Sequence, residues 1–279
     1  MKKFLSVVLA AILVLSCASA LADITIAVPS DPTNYGRALL LLQDKGLLKL
    51  DPNAGILATS KDVTENPLGL VFVETEAALI PNVREDVDYA IINNNYALAA
   101  ELNPVTDALF MESANSPYSN VVCVKEGNEN TDAAKALVAA CESQQVADFI
   151  TATYNGAAVS VVAEPTDGYD PTVDYAALAG TTISVAATPV PHAEVLEVVK
   201  EVLAAKGVTL EIVVFDDYVM PNLSVEEGEI FANYFAHNPY QENFNAENGT
   251  HIVTISLVHV EPMGLYAGKQ ADLEALTIK

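Results

Sequence analysis

The sequence predicts an α/β protein of two lobes with largely parallel sheets. Three observations carry this. Short β-type runs alternate with helical patterns along the whole chain. A strand-to-helix corner occurs twice, as ITIAVPSDPTNYGRALLLLQDKGLL from Ile24 and as TISVAATPVPHAEVLEVVKEVLAAKGV from Thr182. Finally, 279 residues suit two lobes of ordinary size, and a hydrophobic fraction of 51% supplies a core for each.

The N-terminus, MKKFLSVVLAAILVLSCASALAD, has Lys2 and Lys3, an apolar run and then small residues, which is the order of a secretory signal over 1–22. Two processing sites compete. Ala20-Leu21-Ala22 before Asp23 fits an ordinary signal peptidase and a soluble exported product. Val14-Leu15-Ser16-Cys17 resembles a lipobox, departing from it at the first two positions, and would place a lipid anchor on Cys17. No later segment reads as a membrane span. The net charge is −24, and because residues 1–22 hold two lysines and no acid, it becomes −26 without them. Nucleic acid would repel such a surface, and no basic stripe offsets it.

Apolar runs predict strands over 24–28, 70–73, 88–92, 120–125, 183–186, 209–215, 229–235 and 251–259. Helical spacing predicts helices over 37–45, 133–141, 145–154 and 192–205, the last with Val195, Val198, Val199 and Val202 on one face. Residues 163–180 have no period. With Pro165, Pro171 and four acids they read as an exposed, weakly ordered linker whose moderate shortening is tolerated. Cys123 and Cys141 lie in apolar stretches and are read as buried thiols rather than a disulfide.

Signatures of catalysis or metal binding are sparse, with no G-x-S-x-G, phosphate-binding glycine loop, H-E-x-x-H or C-x-x-C. The four histidines are scattered, and His251 and His259, on one strand pattern, read as structural. A secreted hydrolase would need a nucleophile–base pair that the sequence does not offer, so neither an enzyme nor a cofactor is expected. What stands out instead is polar and aromatic clusters at strand ends: IINNNYA at 91–97, SPYSN at 116–120, DYVMPN at 217–222 and ANYFAHNPY at 232–240. Asparagines alone suit turns. Their recurrence with aromatics in both halves suits an apolar pocket holding a few fixed polar groups. The chain has only two arginines, and Arg37 heads the apolar run Ala38 to Leu42. A guanidinium there must reach water or meet an anion.

These segments, with ATPVPHAEVLEVVK, KDVTENP and VHVEPMGLY, resemble the MetQ/NlpA-type methionine-binding proteins of ABC importers over almost the whole mature chain. The resemblance implies a two-lobed periplasmic-binding-protein fold with a hinge and an interlobe ligand cleft. It further implies a bound amino acid, methionine of either hand or another small apolar amino acid, and delivery to a membrane permease with its ATPase. A monomer is expected. Carried over by motif, Arg37 would grip the ligand carboxylate in a fork. Asn95 and Asn120 would bond its amino and carboxylate groups, and Tyr218, Phe235, His237 and Tyr240 would wall the thioether. In that reading Arg37→Ala folds with near-normal stability and loses only the ligand. The family often has Gly, Phe and Gln where Asn94, Tyr234 and Ala236 stand, which would retune selectivity. The motif order is reversed, since ATPVPHAE, which opens the family's mature chain, appears only at 187–194. The chain is therefore read as a circular permutation, with one lobe from 23–118 and 263–279 carrying Arg37 and Asn95. The second lobe spans 119–262, and its linker at 163–180 joins the old ends.

Overall fold

The computed structural model describes residues 23–114 and 116–277. The signal segment 1–22, and Cys17 with it, lies outside the described residues. In chain order the strands are β1 (Ile24–Pro29), β2 (Lys49–Leu50), β3 (Val63–Glu65), β4 (Leu70–Thr75), β5 (Tyr89–Ile92), β6 (Ala108–Met111) and β7 (Ser119–Lys125). They continue with β8 (Val159–Ser160), β9 (Thr182–Ala187), β10 (Thr209–Val214), β11 (Ala232–His237), β12 (Ile252–Val260) and β13 (Gly264–Ala267). A five-stranded sheet has the order β4-β1-β5-β13-β6 and a six-stranded sheet the order β10-β9-β11-β7-β12-β8, with β2 and β3 forming a small separate pair.

Both large sheets are mixed, which corrects the expectation of largely parallel pairing. In the first, β1 runs parallel to β4 and β5, while β13 is antiparallel to β5 and β6. In the second, β10, β9 and β11 are parallel, and β7 and β12 pair antiparallel. The exceptions follow from the path. The chain leaves the first sheet after β6 and returns after β12, through 261–263, so β13 enters from the far side. The two crossings touch, as the Glu112 N–H donates to the Met263 carbonyl at 2.8 Å.

The central strands are apolar on both faces because both faces are covered. Ile26, Val28, Tyr89 and Ile91 face a core with Leu39 and Leu42 of the helix Pro32–Asp44, while Ala27, Ala90 and Ile92 face Ile80 and Tyr96. In the second lobe Val122, Val124, Ile183 and Val185 pack on Val195, Leu196, Val199 and Leu203 of the helix Glu194–Ala204. Val121, Cys123 and Ala186 face the other way, toward Val225. Cys123 and Cys141 are both free and buried, in different cores, and burial pushes the Cys123 thiol up to about 12.

The helix carrying Arg37 begins five residues earlier than its apolar run suggests. Asp31 caps it by accepting the Asn34 N–H at 2.9 Å, and Pro32 takes the first position, where no N–H is needed. Arg37 therefore sits in the second turn. Gly36 lets this helix meet the turn Gly55–Leu57, since a Cβ there would stand 2.2 Å from the Ile56 carbonyl oxygen.

Residues 163–180 are irregular apart from a short helix, Tyr175–Leu178, but they are not loosely attached. The Thr166 N–H donates to the Glu142 carbonyl, and its own carbonyl accepts the Gln144 N–H at 2.8 Å. The Tyr169 hydroxyl donates to the Val202 carbonyl at 3.2 Å, and Val173 is buried in the lobe's core. Gly168, at φ +90°, passes so close to Val202 that a Cβ would lie 2.7 Å from its Cγ1. The expectation of a weakly ordered linker is thus corrected. Tyr169 and Val173 are anchors that a composition of prolines and acids conceals.

Candidate functional site

Between the sheets lies a small cavity. Its walls include Arg37, Asn95, Asn120, Tyr218, Phe235, His237 and Tyr240, so every site residue singled out in the sequence reaches the same space. Asn34, Asn93, Asn94, Ala236 and Glu261 complete the lining; Asn94 and Ala236 were noted in the sequence only as neighbours that would retune selectivity, and the other three were not singled out. Asn93 and Asn94 stand in the same asparagine run as Asn95. Glu261 left one signal, an acid two residues after His259 at the end of an apolar strand.

Local geometry explains how neighbouring residues reach the cavity. Asn93 to Asn95 lead into the helix Asn94–Ala99 directly after β5. On β11 a bulge between Tyr234 and Ala236 breaks the strict alternation of faces, so Phe235, Ala236 and His237 all line the cavity while Tyr234 is buried in the core. Across the sheet His237, Asn120 and His259 stand side by side on β11, β7 and β12.

Arg37 is 3% exposed, and its anion in this structure is Glu112. Nε donates to both Glu112 oxygens at 3.2 and 3.1 Å, and Nη2 donates to Oε2 at 2.6 Å and to the Glu261 carbonyl at 2.7 Å. The guanidinium lies over the Tyr118 ring, 4.3 Å from its centre. The two-pronged grip is therefore spent on a protein carboxylate at the crossing between lobes, and Nη1 is left without a hydrogen-bond partner among the described residues.

The amides are oriented by partners of fixed character. Asn34 Nδ2 donates to the Asp31 carboxylate, so its Oδ1 must be the atom that accepts from Asn93 Nδ2 at 2.8 Å and from His237 Nε2 at 3.0 Å. His237 Nδ1 accepts the Tyr240 N–H at 3.1 Å, which puts the ring's proton on Nε2. Burial, and then the Arg37 charge, hold His237 well below the usual imidazole range. Asn94 Nδ2 donates to Glu261 Oε2 at 3.1 Å. The amide oxygens of Asn93 and Asn94 are thereby fixed as buried acceptors with no donor.

Behind the cavity, Glu261 Oε1 accepts from His259 Nε2 at 2.8 Å and lies 3.1 Å from His192 Nε2. Thr188 and the Tyr234 hydroxyl occupy the two Nδ1 atoms at 2.7 and 2.5 Å. Burial alone would raise the Glu261 carboxyl, but the two imidazole donors outweigh it and hold it below the usual carboxylate range. The nitrogen and oxygen atoms of this trio lie within 4.8 Å of one another. Every ring nitrogen has a hydrogen-bond partner, so the cluster forms a connected hydrogen-bond network. His192 Nε2 also holds Asn120 Oδ1 at 3.0 Å, and the Tyr218 hydroxyl holds Asn95 Oδ1 at 2.6 Å. The amide nitrogens of Asn95 and Asn120 are the donors these two residues have left. The aromatic wall is continuous, with Tyr218 5.8 Å from Phe235 and 5.7 Å from Tyr240, ring centre to centre.

Two α/β lobes, joined by a pair of touching crossings and closed over a small polar and aromatic cavity, define a periplasmic-binding-protein fold. The chain belongs to the NlpA lipoprotein family, whose profile matches residues 16–162 and 183–278. Among curated relatives, outer membrane lipoprotein 3 of Mannheimia haemolytica is 44% identical over 135 residues, 48% of this chain and 51% of that protein. The D-methionine-binding lipoprotein MetQ of Escherichia coli K12 is 43% identical over 136 residues, 48% of this chain and 50% of its own. A solved nutrient binding protein from Burkholderia cenocepacia bound to methionine is 46% identical, with a TM-score of 0.46 over 48% of this chain and 56% of that one. The chain spans about half the length of the curated relatives it matches. Among the described residues no helix is long and apolar enough to cross a membrane.

Proposed function

We propose that this chain is the substrate-binding protein of an ABC amino-acid importer, capturing methionine of either hand in the cleft and delivering it to a membrane permease and its ATPase. It carries out no chemistry and acts as an exported monomer, held to the membrane through Cys17 where the lipobox is processed. One observation carries the reading, the division of polar atoms around the cavity. Arg37 Nη1 and the amide nitrogens of Asn95 and Asn120 are donors suited to a carboxylate. The oxygens of Asn93 and Asn94 are buried acceptors that cost free energy until a donor such as an α-ammonium meets them. Tyr218, Phe235 and Tyr240 offer rings to a thioether, which aromatic faces and edges attract. The relative named for D-methionine supports the same ligand. A second reading, another small apolar amino acid, is favoured by Asn94 and Ala236. Both line the cavity at positions where the family usually has other residues.

We further propose the permuted order. The family profile matches in two blocks that pass over 163–182, as a rearranged chain would. Thr25 and Gln270, from the two outer ends of the first lobe, both hydrogen-bond to Asp88. A joining segment can also be a packed one, so the anchored strap at 163–180 is compatible with this history.

Mass spectrometry of small molecules released from the purified protein by denaturation, followed by calorimetry with L- and D-methionine, tests the ligand. Recovery of a different ligand class, with no heat from either isomer, would overturn it. Phe235→Ala should weaken methionine binding about 10-fold or more, while alanine or glycine binding changes little, because the lost contacts belong to the ligand side chain. Equal weakening for all amino acids would return Phe235 to the core.

A further inference from the structure

We propose that Tyr218 is an interlobe latch that sets how long the ligand stays rather than how fast it is captured. The ligand arm of this inference rests on the amino-acid reading above, but the latch itself rests on geometry. Tyr218 belongs to the second lobe, in the loop between β10 and the helix Met220–Glu226. That loop is tied to its own lobe, since the Tyr240 hydroxyl donates to the Tyr218 carbonyl at 2.9 Å. Asp217 Oδ1 accepts the N–H groups of Val219 and Met220.

From this base two hydrogen bonds cross to the first lobe in opposite directions. The Tyr218 hydroxyl donates to Asn95 Oδ1 at 2.6 Å, and the Tyr96 hydroxyl donates to the Asp216 carbonyl at 3.2 Å. The two rings lie 4.9 Å apart between these bonds. Asn95 makes the coupling specific. With its nitrogen turned onto a ligand carboxylate, its oxygen is held toward Tyr218, so ligand and latch select the same amide orientation and strengthen each other.

The surroundings explain why closure needs a fastener. The spaces on either side of the latch are lined by Asp31 and Glu76 from the first lobe and by Asp216 from the second. Like charges on opposed lobes favour opening. The closed state thus rests on the bonds that cross, these two at the mouth together with His237 to Asn34, Asn94 to Glu261 and Arg37 to the Glu261 carbonyl deeper in. An arriving ligand meets an open cleft in which the latch bonds do not yet exist.

Tyr218→Phe keeps the ring, and with it the aromatic wall, and removes only the hydroxyl. With L-methionine in stopped-flow, the off-rate should rise about 3- to 10-fold, the loss of one net hydrogen bond, with the on-rate within about twofold. Tyr96→Phe should do the same more weakly. Spin labels at Thr64→Cys and Glu211→Cys, exposed positions on the two lobes, read closure without reference to any ligand. Tyr218→Phe should move the interlobe distances toward longer values. An unchanged off-rate, or an effect confined to the on-rate, overturns the latch, as does an unchanged distance distribution. If the wild type ignores methionine yet Tyr218→Phe still opens the lobes, the latch stands and the methionine reading falls.

Discussion

Replacing Arg37 by alanine should abolish ligand-induced stabilisation and also lower the melting temperature of the empty protein by about 10 °C. The two effects come from different edges of one guanidinium. Its Nε and Nη2 hold Glu112, whose side chain is 14% exposed, and the Glu261 carbonyl. Removing one member of a buried ion pair typically costs about 3–5 kcal/mol, because the other charge is left without compensation. In a chain of this size each kcal/mol shifts the midpoint by roughly 2–4 °C. The sequence alone pointed to near-normal stability, on the view that the guanidinium waits free for its ligand, and the Glu112 pair corrects that. The free Nη1 edge carries the ligand effect. The double variant Arg37→Ala/Glu112→Gln separates them, since neutralising Glu112 should restore part of the lost melting temperature and none of the binding. Arg37→Lys should bind poorly, because an ammonium cannot hold Glu112 in a fork and reach the cavity at once. Arg84→Ala is the control and should bind normally. Unchanged affinity in Arg37→Ala would remove Arg37 from the ligand site.

Excising residues 166–174 should destabilise the second lobe by several kcal/mol and shift its urea midpoint downward. If the segment were a free linker, the change would be small, since halving a loop alters its closure free energy by only about 0.6 kcal/mol. The excision instead removes Val173 from the core, a side chain worth about 1.5–3 kcal/mol when fully buried. It also removes the Tyr169 hydroxyl from Val202 and the backbone bonds that tie Thr166 to Glu142 and Gln144. Against a typical total of 5–15 kcal/mol this is a large fraction. A midpoint unchanged by the excision would mean that the strap is dispensable after all.

The elements that were readable in advance are those where one physical rule dominates. Strands such as β5 and β7 are buried on both faces, so unbroken apolar runs betray them, and the helix Glu194–Ala204 shows its buried stripe directly. The helix Asn238–Asn248 escaped because it is polar nearly all round and buries only Tyr240, Gln241 and Phe244. The strand β13 escaped because Gly264–Ala267 is too short to carry a period. At the site, aromatics and asparagines at strand ends were enough to mark the cavity. The partner of Arg37 was not, because Glu112 lies 75 residues away and only the crossing between lobes brings it near. The shared face of Phe235, Ala236 and His237 depends on a bulge, which a period-two reading cannot anticipate.

The place of β13 in the first sheet bears on the order in which the molecule assembles. It sits between β5 and β6 rather than at an edge, yet it comes from the last stretch of the described chain. The strands of the second sheet, from β7 to β12, form an uninterrupted block and can condense without any strand from outside it. The first sheet cannot, for until β13 arrives, β5 and β6 have no strand between them and expose unpaired backbone. Contacts that close so long a loop form late. Folding would therefore pass through a finished second lobe tethered to an incomplete first one, with the aggregation-prone gap filled last. In refolding followed by pulsed hydrogen exchange, amides of β7 and β9 should gain protection before those of β5 and β6. Simultaneous protection would instead mean that both lobes fold as a single cooperative unit.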